Sequence, residues 1–157
     1  MSFVRFLMLL SLVVWLGGLI FFAFVVAPTV FSVLPTRHLA GSVVTRSLGA
    51  LHWMGIISAI VFLATSFVLA SVNTGAIHPF AARNVLIYLM LALTCISQFV
   101  ISAKMSALRA SMGVIDNVSV TDPARIAFNQ LHVWSTRLES TVFLLGLIVL
   151  FLVARKL

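Results

Sequence analysis

The chain has 157 residues, is 62% hydrophobic and 8% charged, and carries a formal net charge of +7 with only three carboxylates, Asp116, Asp122 and Glu139. A water-soluble domain of this length cannot hide so much apolar surface, and three dispersed carboxylates leave no paired-acid hydrolytic site. The ten Lys and Arg are scattered, which suits helix ends and lipid headgroups and argues against a nucleic-acid surface.

A membrane span needs roughly 20 apolar residues, and an open strand cannot satisfy its backbone in lipid. Four stretches qualify, at about 4–33, 50–73, 83–104 and 138–155. There is no Asp, Glu, Lys or Arg at 6–36, 47–82 or 84–103. The expected fold is all-α: an integral membrane four-helix bundle in one domain, 1–157, with helices at about 3–33, 37–72, 81–112 and 122–155.

The first helix opens like a signal peptide, and Ala23-Phe24-Val25-Val26-Ala27 resembles a cleavage site. Its apolar run is too long for a signal h-region, so a retained span is expected. Pro28 should kink it, and Leu34-Pro35 ends it. Gly17 and Gly18 offer a close approach for a neighbouring helix, as do Gly55 and Ala59 in the second. Trp15 lies deep in its span and should pack inside.

The second helix, from about Thr36, is far longer than a bilayer needs. Its first part, Arg37 to Leu51, reads as an extension beyond the hydrocarbon. Asn73-Thr74-Gly75 makes a turn, and the third helix follows His78-Pro79. Its tail from Lys104 to Ser111 again lies outside the apolar zone. A polar loop at 113–121 leads to Thr121-Asp122-Pro123, an N-cap followed by a first-turn proline. Helices two to four therefore overshoot the membrane on one side. That side carries Arg37, Arg46, Lys104, Arg109, Arg125 and Arg137, against Arg5, Arg83, Arg155 and Lys156 on the other. The positive-inside bias favours the overshoot side as cytoplasmic.

The fourth helix has the tightest arithmetic. Between Glu139 and Arg155 lie only uncharged residues, about 22 Å of helix against a hydrocarbon core of about 30 Å. Glu139 therefore enters the apolar zone or the membrane thins around it, and it should face the bundle interior. Phe128, His132 and Ser135 share its face by spacing. Similar counts place His52, Gln98 and Lys104 near the same depth.

His52, His132 and Glu139 are thus the candidate ligand or metal residues, with Arg46, Gln98, Lys104 and Ser135 as supporting polar groups. A purely structural network is one reading, with Glu139 paired to Lys104 or an arginine. Ligand transport is another. Haem or copper ligation by His52 and His132 is a third. No His-x-x-x-His or cysteine pair supports it, and Met54, Met90 and Met105 are not clustered. Cys95, alone, reads as a packing residue. His38 and His78 are expected in connections. Trp53 and Trp134 fall where interfacial tryptophans do.

Trp15-Leu16-Gly17-Gly18-Leu19-Ile20-Phe21-Phe22, then Val26-Ala27-Pro28 and Phe31, resembles the first helix of the transmembrane-protein-205-like family of small four-helix membrane proteins. Leu39-Ala40-Gly41 and Leu51-His52 fit its second helix, and Leu131-His132 with Ser135 resembles the start of its last. The resemblance spans essentially the whole chain. The Trp-Leu-Gly-Gly stretch is also distantly similar to copper resistance protein D, and the four-helix layout to the haem-linked bacterial protoporphyrinogen oxidase. The family's animal member is associated with platinum-drug resistance and export, so the resemblance implies export or metal handling. It carries over His52, His132 and Ser135, whereas Glu139 departs from the uncharged residue of many relatives. The implied setting is a bacterial inner membrane. Besides the bilayer itself, the chain's small size and small-residue faces suggest other membrane subunits or further copies of the chain as partners. A role as an accessory subunit without chemistry of its own stands beside the transport reading.

Overall fold

The computed structural model describes residues 2–155; Lys156, counted above among the basic residues, lies outside the described residues. It contains four long helices: α1, Ser2–Val33; α2, Arg37–Thr74; α3, Ala82–Met112; and α4, Pro123–Ala154. Each is long and apolar enough to cross a membrane, and among the described residues there is no strand. The expected all-α class and helix order are observed. Boundaries differ from expectation by one or two residues. α2, at 38 residues, is about 57 Å long at 1.5 Å per residue.

Helix ends follow local chemistry. Thr36 caps α2, its hydroxyl accepting from Leu39 N at 3.2 Å, and Gly75 ends it with φ of 73°, a left-handed geometry that favours glycine. Asp122 caps α4 by accepting from Ala124 N at 2.8 Å, with Pro123 at the first helical position. His38 lies in the first turn of α2 rather than in a connection. Its main-chain N–H donates to Asp116 Oδ2 at 3.0 Å, which ties the α3–α4 connection to the start of α2. The 113–121 loop contains a short 3₁₀ turn, Ile115–Asn117.

Two helices are interrupted by a wide π-turn. In α1 it spans Phe22–Val26, where Ala27 N bonds to Phe22 O, five residues back. It ends two residues before Pro28, which has no N–H to continue the regular ladder. So the proline's effect is absorbed by a widened turn just before it. In α3 the π-turn spans Ser97–Ile101, and Ser102 N bonds to Ser97 O. No proline or glycine stands there.

The buried residues repeat with helical spacing. α1 contributes Met8, Ser11, Leu12, Trp15, Leu16 and Leu19, a single stripe at three- and four-residue steps. They meet Leu51, Ala59, Phe62 and Leu69 of α2, Ile87 and Met90 of α3, and Val142, Val149 and Val153 of α4. In α4 the buried Phe128, Ser135, Val142 and Val149 recur every seventh residue, as on a coiled-coil seam. The outer sides carry Phe3, Ile57 and Phe151, all well exposed.

α1 packs most extensively against α2 and much less against α4. Gly55 lets Trp15 in: a Cβ there would stand 2.5 Å from Trp15 Nε1. Gly18 is closed over by Met54 and Leu51, whereas Gly17 faces open space. Of the glycine pair in α1, then, one makes a close approach.

Candidate functional site

Three helices meet around His52. It projects from the α2 stripe and is 1% exposed, next to Leu51 and Gly55 in the core. Its Nε2 lies 2.7 Å from Glu139 Oε1, and its Nδ1 lies 2.7 Å from Gln98 Oε1. Ser97 Oγ donates to the same Glu139 oxygen at 3.0 Å. Glu139 sits one turn beyond Ser135 on the inner seam of α4, and its side chain is 17% exposed. His52 and Glu139 form the one ion pair among the described residues. Such short, charge-assisted contacts are the strong kind of hydrogen bond, and burial leaves them little competition from water.

Ser97 and Gln98 are the first two residues of the π-turn in α3. Ser97 and Gln98 are adjacent in α3, and a regular helix would turn them about 100° apart. Within the widened turn both reach the His52–Glu139 pair. π-turns are often found at functional sites for this reason.

The proton arrangement is constrained by chemistry. Glu139 is an acceptor when ionised, and Gln98 presents its carbonyl oxygen. Both ring nitrogens then donate, which suits the cationic imidazolium. Turning the Gln98 amide over presents a donor to Nδ1 and suits a neutral ring that still donates to Glu139. The amide orientation and the proton are linked.

The expected residues divide into those joined here and those left out. His52, Gln98 and Glu139 are brought together. Ser135 is buried and, like His132, lines the adjoining cleft. His132 is exposed on the cleft wall and contributes its main-chain carbonyl to Thr136 at 3.1 Å. Lys104 and Arg46 are exposed. Glu139 therefore pairs with His52 and not with Lys104 or an arginine. Sequence reasoning missed Ser97, because one serine in an apolar run carries no signal of a turn that changes the helical register.

Next to this network lies a cleft of about 890 Å³ between α1 and α4. Its apolar walls include Leu19, Phe22, Phe143 and Leu144. Arg37, Arg109 and Arg125 line it toward the 34–36 and 113–122 connections, and Glu139 lines it farther along α4, before Phe143 and Leu144. Arg109 donates to Ser42 Oγ at 3.3 Å, and its guanidinium carbon lies 5.4 Å from the centre of the Phe128 ring. Arg125 is held by the carbonyls of Ile115 and Val118. Glu139 Oε2 makes no hydrogen bond among the described residues, so one oxygen of the carboxylate is committed to the network and the other is not.

Haem or copper does not fit His52 as it stands. Both ring nitrogens are engaged within 2.7 Å, and a metal needs a free nitrogen lone pair. Among the described residues no three His, Cys, Asp or Glu side chains cluster as a metal site. Met90 is wholly buried in the core, and Met54 packs over Gly18.

No curated relative matches the chain, and no solved structure does. Residues 10–113, two thirds of the chain, match a domain of unknown function, DUF4149, and the protein therefore belongs to that family.

Proposed function

We propose that the protein is a small transport protein that takes an amphipathic anion into the cleft between α1 and α4. The observation that carries this reading is the cleft's composition. Three guanidinium groups face one carboxylate along apolar walls, and that carboxylate is already partnered by His52. An anionic head has partners near the mouth, and an apolar body has Leu19, Phe22 and Phe143. Glu139 brings the His52–Gln98 network to the cleft wall, where taking up or losing a proton would reset the charge met by the ligand. The motif resemblance to the transmembrane-protein-205-like family implies an export direction, and the engaged His52 ring argues against a metal at that residue. The membrane in this reading is a bacterial inner membrane, with the α1–α2 and α3–α4 connections cytoplasmic.

The test uses proteoliposomes and 1-anilinonaphthalene-8-sulfonate, a permanently anionic amphiphile that crosses lipid slowly. The expected result is saturable entry above that of protein-free liposomes, slowed about tenfold or more by Arg37→Gln or Glu139→Gln, as loss of a charged contact implies. Entry equal to that of empty liposomes, or equal rates in both variants and the unaltered protein, would overturn the reading.

A further inference from the structure

At the opposite end of the bundle, three more arginines converge. Arg5 of α1, Arg83 at the start of α3 and Arg155 at the end of α4 line one pocket of about 430 Å³, together with His78 of the 75–81 connection. No acidic side chain lines it. The chain's three side-chain carboxylates are all placed elsewhere: Asp116 on His38 N, Asp122 on the α4 N-cap and Glu139 on His52.

Arg83 is held in position from the core. Its Nε donates to Ser66 Oγ at 3.1 Å, and Ser66 Oγ donates to Asn84 Oδ1 at 2.8 Å. Asn84 Nδ2 in turn donates to His78 O at 3.0 Å. Ser66 and Asn84 are almost wholly buried, at 0% and 1% exposed. This chain of bonds orients the guanidinium through its inner nitrogen. The two terminal amino groups make no hydrogen bond among the described residues. They form the face that binds a phosphate or carboxylate through two parallel bonds. The floor is apolar, with Met8, Leu69 and Val153, and low polarity strengthens the field of the three cations while raising their mutual repulsion.

We infer that this pocket binds a phosphate anion, carried either by a phospholipid headgroup or by a free phosphate. An anion there relieves the repulsion among three like charges and meets a donor face already set by Ser66 and Asn84. Basic pockets between membrane helices take anionic headgroups in this way. The site is separate from the cleft and does not depend on its occupant.

The test has two arms, both on the full chain. One measures phosphatidylglycerol binding to protein in phosphatidylcholine nanodiscs. The other titrates inorganic phosphate into detergent-solubilised protein by calorimetry. The variants are Arg83→Gln and, to guard against a folding defect, the exposed pair Arg5→Gln with Arg155→Gln. Saturable binding in either arm, weakened about tenfold or more by both variants and unchanged by Glu139→Gln, establishes the site. Phosphatidylglycerol binding assigns it to a lipid headgroup, and binding of inorganic phosphate alone assigns it to a free anion. Saturable binding in neither arm, or equal affinity in the Arg5→Gln, Arg155→Gln protein, would overturn the inference.

Discussion

Replacing His52 with leucine tests the central network most directly. The side chain is 1% exposed, so leucine keeps most of the packing while removing both ring nitrogens. Two acceptors then lose their donor: Glu139 Oε1, which keeps only Ser97, and Gln98 Oε1. Breaking a buried ion pair by deleting one partner costs about 3–5 kcal/mol. Glu139 is 17% exposed and opens on the cleft, so water relieves part of its charge and favours the low end. The stranded Gln98 oxygen adds about 1 kcal/mol. The expected loss is therefore about 4 kcal/mol, read as unfolding free energy by steric trapping in bicelles. The companion His52→Leu, Glu139→Leu protein removes the stranded charge as well. It should be more stable than His52→Leu alone, because an apolar pair can replace a buried ionic one at little cost. A loss below about 1 kcal/mol for the single variant, or strict additivity in the double variant, would show that the contact is not the buried pair described here.

Two further substitutions test packing and satisfaction in the core. Gly55→Ala should destabilise by about 1–3 kcal/mol, since its Cβ meets the buried Trp15 indole and a rigid ring cannot give way without disturbing the core. Gly17→Ala, facing open space, should be neutral or gain up to about 1 kcal/mol; the same unfolding assay compares them, and equal effects would refute the assigned close approach. Thr94 is 1% exposed and its hydroxyl is buried without a partner, so Thr94→Val should stabilise by about 1 kcal/mol or more. A loss of stability there would mean the hydroxyl has a partner in the membrane.

The helices were legible because hydropathy over twenty residues is a strong signal, and Asp122-Pro123 and Gly75 marked their ends. The common level of His52, Gln98 and Glu139 along the bundle was also legible from residue counts, and the three side chains meet. The direction in which each side chain points around its helix was only partly so. The seven-residue seam of α4 turns Glu139 inward as expected. Arg46 precedes His52 by six residues, about 9 Å along the helix and about 240° round it, and it is exposed. Lys104 follows Ser97 by seven and would share its face in a regular helix. The extra residue of the π-turn at Ser97–Ile101 shifts everything after it by about 100° and carries Lys104 out to the surface. Nothing in the composition of that turn announces it.

The two π-turns also explain where the cleft lies. Phe22, Ala23 and Phe24, which belong to the turn in α1, line the cleft, as does Ala27 just after it. Beyond that turn α1 packs on α2 rather than on α4, and the gap this leaves is the cleft. The second turn, in α3, supplies the Ser97 and Gln98 contacts that hold Glu139 and His52 beside the cleft. Elsewhere the bundle keeps regular stripes, with Leu12, Trp15, Phe62, Met90 and Val149 nearly or wholly buried. A π-turn gives up regular hydrogen-bond geometry, and departures from local regularity are expected where a site demands them. The turn in α1 lines the cleft, the turn in α3 ends one residue before Ser102 on its wall, and Glu139 of the one ion pair among the described residues also lines it. Pro28 accounts for the first turn by removing a donor. The second has no such local cause, and the side chains it brings to His52 and Glu139 are the physical consequence that distinguishes it from a regular helix.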